Sequence, residues 1–290
     1  MSGFGFGKVA VTGGAGRLGA YVVPRLARSA GVTVIDRAAP PWGGAWRAAD
    51  VLDRAGLEQA FAGHDAVVHL AAIPNPFTSS PEDILRVNVQ GTWNCFAAAE
   101  TAGVKRVVLA SSDSATGMVF KVQPLPPLYL PIDEDHPLRP TESYGLSKLM
   151  AEDVARVFAR RGALEVVVLR PTFVVFPTLV PELPARQAAP DSRNMWSYVE
   201  PEDVAEAFHL ALALTGVRYE TFFVSAADTL SLLPTLERIQ ALFGRLPEIR
   251  KPAVYLENPR AAVFDQERAR TRLGFVPRSD WRRLLAGSAA

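Results

Sequence analysis

Tyr144 and Lys148 stand four residues apart in the run SYGLSK, a spacing that puts a phenol and an ammonium on one face of a helix. A free phenol, with a pKa of about 10, is a poor base at neutral pH. A nearby cation favours the phenolate, and one pKa unit corresponds to about 1.4 kcal/mol, so one or two close positive charges make the phenol usable. Ser112, which ends VVLASS, adds a hydroxyl able to hydrogen-bond a substrate oxygen and steady it. A base, a cation that tunes it and an oxygen donor are the parts needed to take a proton from an alcohol while hydride leaves the same carbon.

A hydride needs an acceptor, and KVAVTGGAGRLGAYVVPRLA, residues 8–27, offers a seat for one. Residues 8–12 are a β-branched run that reads as a buried strand. Apolar residues at Leu18, Tyr21, Val22 and Leu26 predict a helix over residues 18–28, and VTVID (32–36) predicts a second strand ending in an acid. The glycines therefore fall at a strand-to-helix turn inside a βαβ unit. Gly13 allows the tight turn, Gly16 lets backbone approach a pyrophosphate, and Gly19 lets the helix pack closely. The helix N-terminus offers N–H groups and partial positive charge to phosphates. Asp36 is positioned to accept hydrogen bonds from a ribose and to repel a 2′-phosphate, which favours NAD over NADP; the adjacent Arg37 works against that preference.

Further strands are predicted at 66–70, 104–110, 166–169 and 221–224, alternating with helical segments. That order predicts an α/β chain with a Rossmann-type doubly wound parallel sheet, whose ligands sit outside the carboxyl ends of the strands. The glycine turn, Asp36, Ala71, Ser111-Ser112 and Pro171-Thr172 all lie at such ends. Two proline-rich segments interrupt the pattern. Residues 123–140, with six prolines, read as a stiff loop without helix or strand beside the site, and residues 177–192 read as part of a substrate cap.

The totals narrow the partners. In 290 residues, 49% are apolar and 21% charged, with a formal net charge of +1, so nothing draws the chain to nucleic acid or an acidic membrane surface. The one cysteine, Cys95, excludes an internal disulfide and a Cys-rich zinc site and fits a cytoplasmic protein. Residues 1–7 carry no signal pattern, and the most apolar stretch, 166–180, is too short to span a bilayer and is broken by Arg170, Pro171 and Pro177. His69 inside an apolar strand reads as a core histidine. His64, His136 and His209 have no metal spacing, so no metal is expected. The C-terminal arginines, Arg268, Arg270, Arg272, Arg282 and Arg283, read as a solvated face.

In order along the chain, TGGAGRLG (12–19), HLAA (69–72), NVQGTWN (88–94), SS (111–112), YGLSK (144–148), LRPT (169–172), YVEPEDVA (198–205) and DQERARTRLGFVP (265–277) resemble the extended short-chain dehydrogenase/reductases. The resemblance is to the NAD-dependent epimerase/dehydratase family, nearest in kind to its uronate dehydrogenase-like and sugar epimerase members. It implies hydride chemistry with NAD, with Tyr144 as base, Lys148 as tuner and ribose ligand, and Ser112 as oxygen donor. It further implies a cofactor site of Gly13, Gly16, Arg17, Leu18, Gly19, Asp36, Arg37, Asp50, Val51, Leu70, Ala71, Ala72, Asn88, Ala110, Pro171 and Thr172, joined by Tyr144 and Lys148. In this scheme Asp50-Val51 meets the adenine, and Asn88 holds active-site backbone and a water chain. Residues 1–172 form the NAD-binding domain, and 173–290 a substrate-binding region interleaved with the last sheet strands. Assembly as a homodimer follows, through the helix from Tyr144 and the alanine-rich helix over 91–102.

The departures bear on the substrate. Phe173 replaces the asparagine, and Trp196 the arginine, that in nucleotide-sugar relatives face the diphosphate. Ser112 is followed by Asp113 and Ser114, not by the Asp-Glu pair of the dehydratases. In uronate dehydrogenases an arginine aligned with Arg193 binds the sugar carboxylate, a task that fits a planar guanidinium fork; Arg186 is the rival. With Ile73 these residues make the candidate substrate set. The resulting expectation is an NAD-dependent dehydrogenase of a sugar acid or another small polyol. The alternatives are an epimerase without net redox change and a non-catalytic NAD-binding regulator.

Overall fold

The computed structural model describes residues 5–123 and 125–287. The amino-terminal half runs β1 (Lys8–Thr12), α1 (Gly19–Ala27), β2 (Gly31–Asp36), β3 (Trp46–Ala48), α2 (Arg54–Phe61), β4 (Ala66–His69), α3 (Pro81–Leu85), α4 (Gly91–Thr101) and β5 (Arg106–Ala110). There follow β6 (Tyr129–Leu130), α5 (Ser143–Arg161), β7 (Glu165–Pro171), α6 (Leu183–Ala188), α7 (Pro201–Ala213), β8 (Tyr219–Val224), α8 (Thr235–Phe243), β9 (Glu248–Ile249), α9 (Pro252–Glu257) and α10 (Trp281–Gly287).

Seven strands make one sheet in the order β3-β2-β1-β4-β5-β7-β8, all pairings parallel. Alternate residues of each central strand enter different cores, because a pleated strand points successive side chains to opposite faces. Val9, Val11, Val108, Val167 and Leu169 pack with α1 and α7, whereas Ala10, Val107, Leu109, Val166 and Val168 pack with α2, α4 and α5. Both faces are covered, which is why these strands are apolar throughout. The sheet order reverses at β1, so the crevice outside the ends of β1 and β4 is the ligand position for this topology.

The segment over 123–140 departs from the expected plain loop: Tyr129 and Leu130 form β6, paired in parallel with β9. Leu130 and Ile132 anchor that pair in a separate apolar cluster with Phe223, Ile239, Val263 and Phe264. Prolines leave room for a strand of two residues but not for a helix. The C-terminal arginines are also more engaged than a solvated face implies, since Arg268 pairs with Asp135, Arg272 with Glu220 and Arg283 with Glu200.

Helix α5 carries Tyr144 and Lys148, and two buried features place it. At its start the Glu142 carboxylate accepts the backbone N–H groups of Tyr144 and Gly145, each at 2.6 Å, capping the helix at the phenol-bearing residue. One turn past Lys148, Glu152 (0% exposed) receives a two-pronged contact from Arg170 of β7 (1% exposed) at 2.8 and 2.7 Å, and the Ser111 hydroxyl at 2.6 Å. Breaking a buried pair by removing one partner strands a charge in an apolar interior. Arg170→Met should therefore lower the unfolding free energy by about 3 kcal/mol or more in urea denaturation. The double variant Arg170→Met/Glu152→Met should recover much of that loss.

Candidate active site

The glycine turn is built by close approach. Gly13 has φ +67°, and a Cβ there would lie 2.6 Å from the backbone of Ala71, so the turns after β1 and β4 touch where no other side chain fits. A Cβ on Gly19 would fall 2.0 Å from the Gly14 carbonyl oxygen, so the helix starts directly against the turn. Gly16 donates its N–H to Gly13 at 3.1 Å and is exposed, as is Arg17. Leu18 caps α1, accepting the Val22 N–H, and Arg17 stacks its guanidinium 4.8 Å from the Phe176 ring centre. Asp36, half-buried at the end of β2, accepts the N–H of Ala15 at 3.1 Å and of Arg37 at 2.7 Å, tying the acid to the glycine turn. Arg37 itself is exposed.

Farther along the same edge, Asp50 accepts the Leu52 N–H, and Val51 is pinned by Asn94 on its carbonyl and by Gly91, whose missing Cβ would press Val51 at 2.7 Å. Leu70 bonds back to Thr12, and Ala71 and Ala72 continue the half-buried turn. Thr172, 4% exposed, follows Pro171 at the end of β7 and bonds to Val224. A glycine cradle that any Cβ would fill, a helix N-terminus and a carboxylate one strand away fit a dinucleotide: phosphates on the cradle, ribose on Asp36.

Next to this cradle lie the three chemical groups. Ser112, Tyr144 and Lys148 are 8%, 7% and 5% exposed. Gly145 allows their approach, because a Cβ there would meet the Ser114 carbonyl oxygen at 2.5 Å, jamming α5 against the Ser112–Ser114 turn. Lys148 donates to the carbonyl of Ala110 at 2.9 Å, and its nitrogen is 5.7 Å from the Tyr144 ring centre. Burial brings the ammonium down to about 8 despite Glu152 nearby.

The chain's own surroundings do not lower the Tyr144 phenol. Burial pushes its pKa up, the Asp113 and Glu142 charges push the same way, and only the Ser112 hydroxyl opposes them. The chain's own groups thus keep the phenol protonated, and a positive charge brought by an oxidised nicotinamide would favour the phenolate.

Asn88, in a π-helical turn over Arg86–Gln90, accepts the Ile73 N–H at 2.7 Å and donates to the Ile73 carbonyl and the Ser147 hydroxyl at 3.0 and 2.9 Å. Ser147 in turn donates to the Tyr144 carbonyl at 2.7 Å. One amide hydrogen holds the Ile73 backbone and the other the Ser147 hydroxyl, leaving only oxygen lone-pair capacity for water. His69 sits between the hydroxyls of Thr12 (2.6 Å) and Thr92 (3.1 Å), held neutral by burial and the Lys148 charge with a pKa of about 3. It is a core residue.

On the open side, an aromatic chain leads away from the phenol. Phe120, at φ +54°, sets its ring edge-on to Tyr144 (centres 6.1 Å apart), and Phe77 sits edge-on to Phe120 at 5.4 Å. The exposed Arg193 caps Phe77 at 5.1 Å, and among the described residues it has no salt-bridge partner. Arg186 instead pairs with Glu182 at 2.7 Å and covers Phe173. Trp196 is 2% exposed, packed in an apolar cluster beneath Arg238, away from open surface. Phe77, Phe120, Glu142, Gly145, Glu152 and Arg170 are positions the sequence reading passed over as functional. Only Gly145, inside YGLSK, and Arg170, inside LRPT, had a motif to mark them.

A doubly wound sheet with a dinucleotide cradle beside a buried Ser-Tyr-Lys set defines a short-chain dehydrogenase/reductase. The model of the NAD dependent epimerase/dehydratase family matches residues 9–224, and the chain belongs to that family. It is 38% identical over 168 residues to an L-arabinose 1-dehydrogenase (NAD(P)(+)) of Haloferax volcanii, covering 56% of this chain and 65% of that protein. It is 32% identical over 170 residues to a uronate dehydrogenase of Pseudomonas putida, covering 57% and 60%. The matches thus span less than two thirds of these curated relatives. A short-chain dehydrogenase/reductase superfamily protein from Agrobacterium tumefaciens, solved with bound NAD, superposes over 97% of this chain and 96% of its own at TM-score 0.75 and 27% identity. MoeE5, solved with UDP-glucuronic acid and NAD, covers 97% of each chain at TM-score 0.73 and 28% identity.

Two outcomes follow for the cofactor and the base. Asp36→Asn, which keeps an acceptor for Ala15 but loses the charge, should narrow the preference for NAD over NADP by about tenfold in kcat/KM, since one charge contact is worth about 1.4 kcal/mol at this exposure. Tyr144→Phe should abolish turnover while NAD still binds in calorimetry, and near-normal turnover would remove Tyr144 from its role.

Proposed function

We propose that this chain oxidises a secondary alcohol of a sugar acid, using NAD. The observation that carries the reading is Arg193: a guanidinium without a carboxylate partner among the described residues, joined through Phe77 and Phe120 to the ring of Tyr144. Apolar rings flank the C–H faces of a sugar, and a guanidinium fork holds a carboxylate. The partial matches to an arabinose and a uronate dehydrogenase support the same reaction class.

In this reading the substrate oxygen rests between the Ser112 hydroxyl and the Tyr144 phenol. Tyr144 Oη takes the alcohol proton, and Ser112 donates to the oxygen as it becomes a carbonyl. Lys148, anchored on Ala110, holds positive charge beside the phenolate and reaches the ribose. Asn88, by fixing Ile73 and Ser147, keeps the phenol-bearing turn in place. The cofactor, when bound, supplies the hydride acceptor. Phe173 and the buried Trp196 offer no charge to a nucleotide diphosphate; the full-length likeness to MoeE5 is what keeps UDP-sugar interconversion as the second reading.

We further propose a cytoplasmic homodimer. The alanine-rich face of α4 (Ala97, Ala98 and Ala99) is buried in the core, so the dimer contact falls instead on Leu146, Met150 and Val157, an exposed apolar stripe on α5, with the exposed Trp93 of α4, about a two-fold axis. Light scattering should report a dimer at micromolar concentration, and Met150→Glu should shift it to monomer.

The substrate class is tested with a panel of uronates, aldoses and UDP-sugars, read by NADH absorbance and product stereochemistry. Arg193→Ala should raise KM for an acidic sugar by about ten- to a hundredfold, the range of a lost charge-assisted contact, and leave a neutral sugar nearly unchanged. Arg193→Lys should restore part, and Arg186→Ala should change neither. Interconversion of UDP-sugars without net NADH, together with indifference to sugar acids, would establish the epimerase instead.

A further inference from the structure

Asp113 follows Ser112 directly and is 3% exposed. Its Oδ1 lies 3.0 Å from the Ser112 hydroxyl, while Oδ2 is buried with no hydrogen-bond partner. The Ser112 oxygen accepts the Ser114 N–H at 3.1 Å, so this hydroxyl has a single hydrogen and three protein acceptors competing for it: Asp113 Oδ1, the Ser114 hydroxyl oxygen at 3.1 Å and the Tyr144 phenol oxygen. A carboxylate wins such a competition, because a hydrogen bond to an ionised acceptor is about twice as strong as one between neutral groups. A hydrogen held by Asp113 is not available to a substrate oxygen.

We propose that Asp113 is a positioning residue that governs the Ser112 hydroxyl: ionised, it claims the hydrogen, and protonated, it leaves that hydrogen for the substrate oxygen. The inference rests on the reading of Ser112 as the oxygen donor. The same charge acts a second time, since ionised Asp113 holds the proton on Tyr144. Both effects make the protonated carboxyl the competent form.

Burial raises Asp113 to about 7, with the Ser112 hydroxyl and the Ser114 N–H pulling the other way. Tyr144 of α5 faces it, the Glu142 carboxylate that caps α5 acts on the same phenol, and Arg139, in the segment before α5, donates to the Pro126 carbonyl. A carboxyl raised on folding contributes stability that is complete below the ordinary carboxylate range and is lost as pH rises through about 7. Lys148, near 8, is the other group whose titration reduces activity in this range.

The test compares wild type with Asp113→Asn, whose amide is able to donate to Ser112 but not to ionise. In the wild type, kcat/KM for oxidation of the sugar substrate should begin to fall near pH 7. In Asp113→Asn the fall should start about one unit higher, where Lys148 discharges. Without substrate, the phenolate difference absorbance between each protein and its Tyr144→Phe counterpart should show Tyr144 titrating at lower pH in Asp113→Asn. The melting temperature of wild type, relative to the variant, should drop between about pH 4 and 7 and then level off. Superimposable pH profiles, or an equal loss at every pH, would overturn the inference, and so would a wild-type profile that rises monotonically to pH 9, whatever the variant does. If no sugar is oxidised but the phenolate titration shifts, the proposed reaction fails and the role of Asp113 stands. If Ser112→Ala abolishes oxidation while Asp113→Asn leaves the profile alone, the reverse holds.

Discussion

The buried contact between Glu152 and Arg170 is the constraint on which the catalytic geometry depends. Arg170 belongs to β7, Glu152 to α5, and Ser111, which also bonds Glu152, ends the turn of β5 that leads into Ser112. One carboxylate therefore sets the height of α5 against two neighbouring strands. Tyr144 and Lys148 lie two turns and one turn before it, so a slip of the helix by a single residue would carry the phenol off the Ser112 turn. Arg170 also donates to the Glu134 carbonyl, and Glu134 accepts the Phe223 N–H, which extends the restraint to β8 and the segment before α5. An ion pair this deep is weak evidence for stability. Its use here is register, because it admits one position where apolar packing alone would tolerate several.

Burial then sets the electrostatics. His69 and Lys148 are driven toward their neutral forms by lost solvation, and so are Asp113 and Tyr144. Of these, Asp113 and Lys148 are left closest to neutral pH, where a charge arriving with a ligand would decide their ionisation. Lys148, assigned by its spacing to tune the phenol, is engaged with the Ala110 carbonyl at 2.9 Å, which ties it to the strand end and holds it at a fixed distance from the Tyr144 ring.

The sheet was legible because its signal is local. Apolar β-branched runs such as residues 8–12, and the acid ending 32–36, are visible without knowing what they pack against. The cradle was legible for the same reason, since Gly13 and Gly19 mark positions where backbone meets backbone. What stayed hidden depends on contacts far apart in sequence. Glu152 looks like any helical acid until Arg170 is beside it, and β6 is too short to announce itself before β9 pairs with it. Trp196 read as a substrate-facing residue from its alignment alone, yet its positive φ turns the indole into the interior against Arg238. Spacing marked the cation near Tyr144 but not the depth of burial that opposes it.

The aromatic wall shows how the two halves of the chain meet at the site. Phe77 comes from the turn after β4, Phe120 from the segment after Ser112, and Arg193 from the region beyond β7. Phe120 adopts a left-handed backbone, a conformation that is strained for a bulky residue and persists only where surrounding contacts over-determine it. Its ring bridges Tyr144 and Phe77, so the strain is offset by aligning the wall with the phenol. Met195 and Trp196 share that backbone region and lie just past Arg193. Both flanks of the cleft are thus held by unfavourable turns that a sequence of ordinary propensity would relax, and relaxation of either would break the run of contacts from Arg193 through Phe77 and Phe120 to Tyr144.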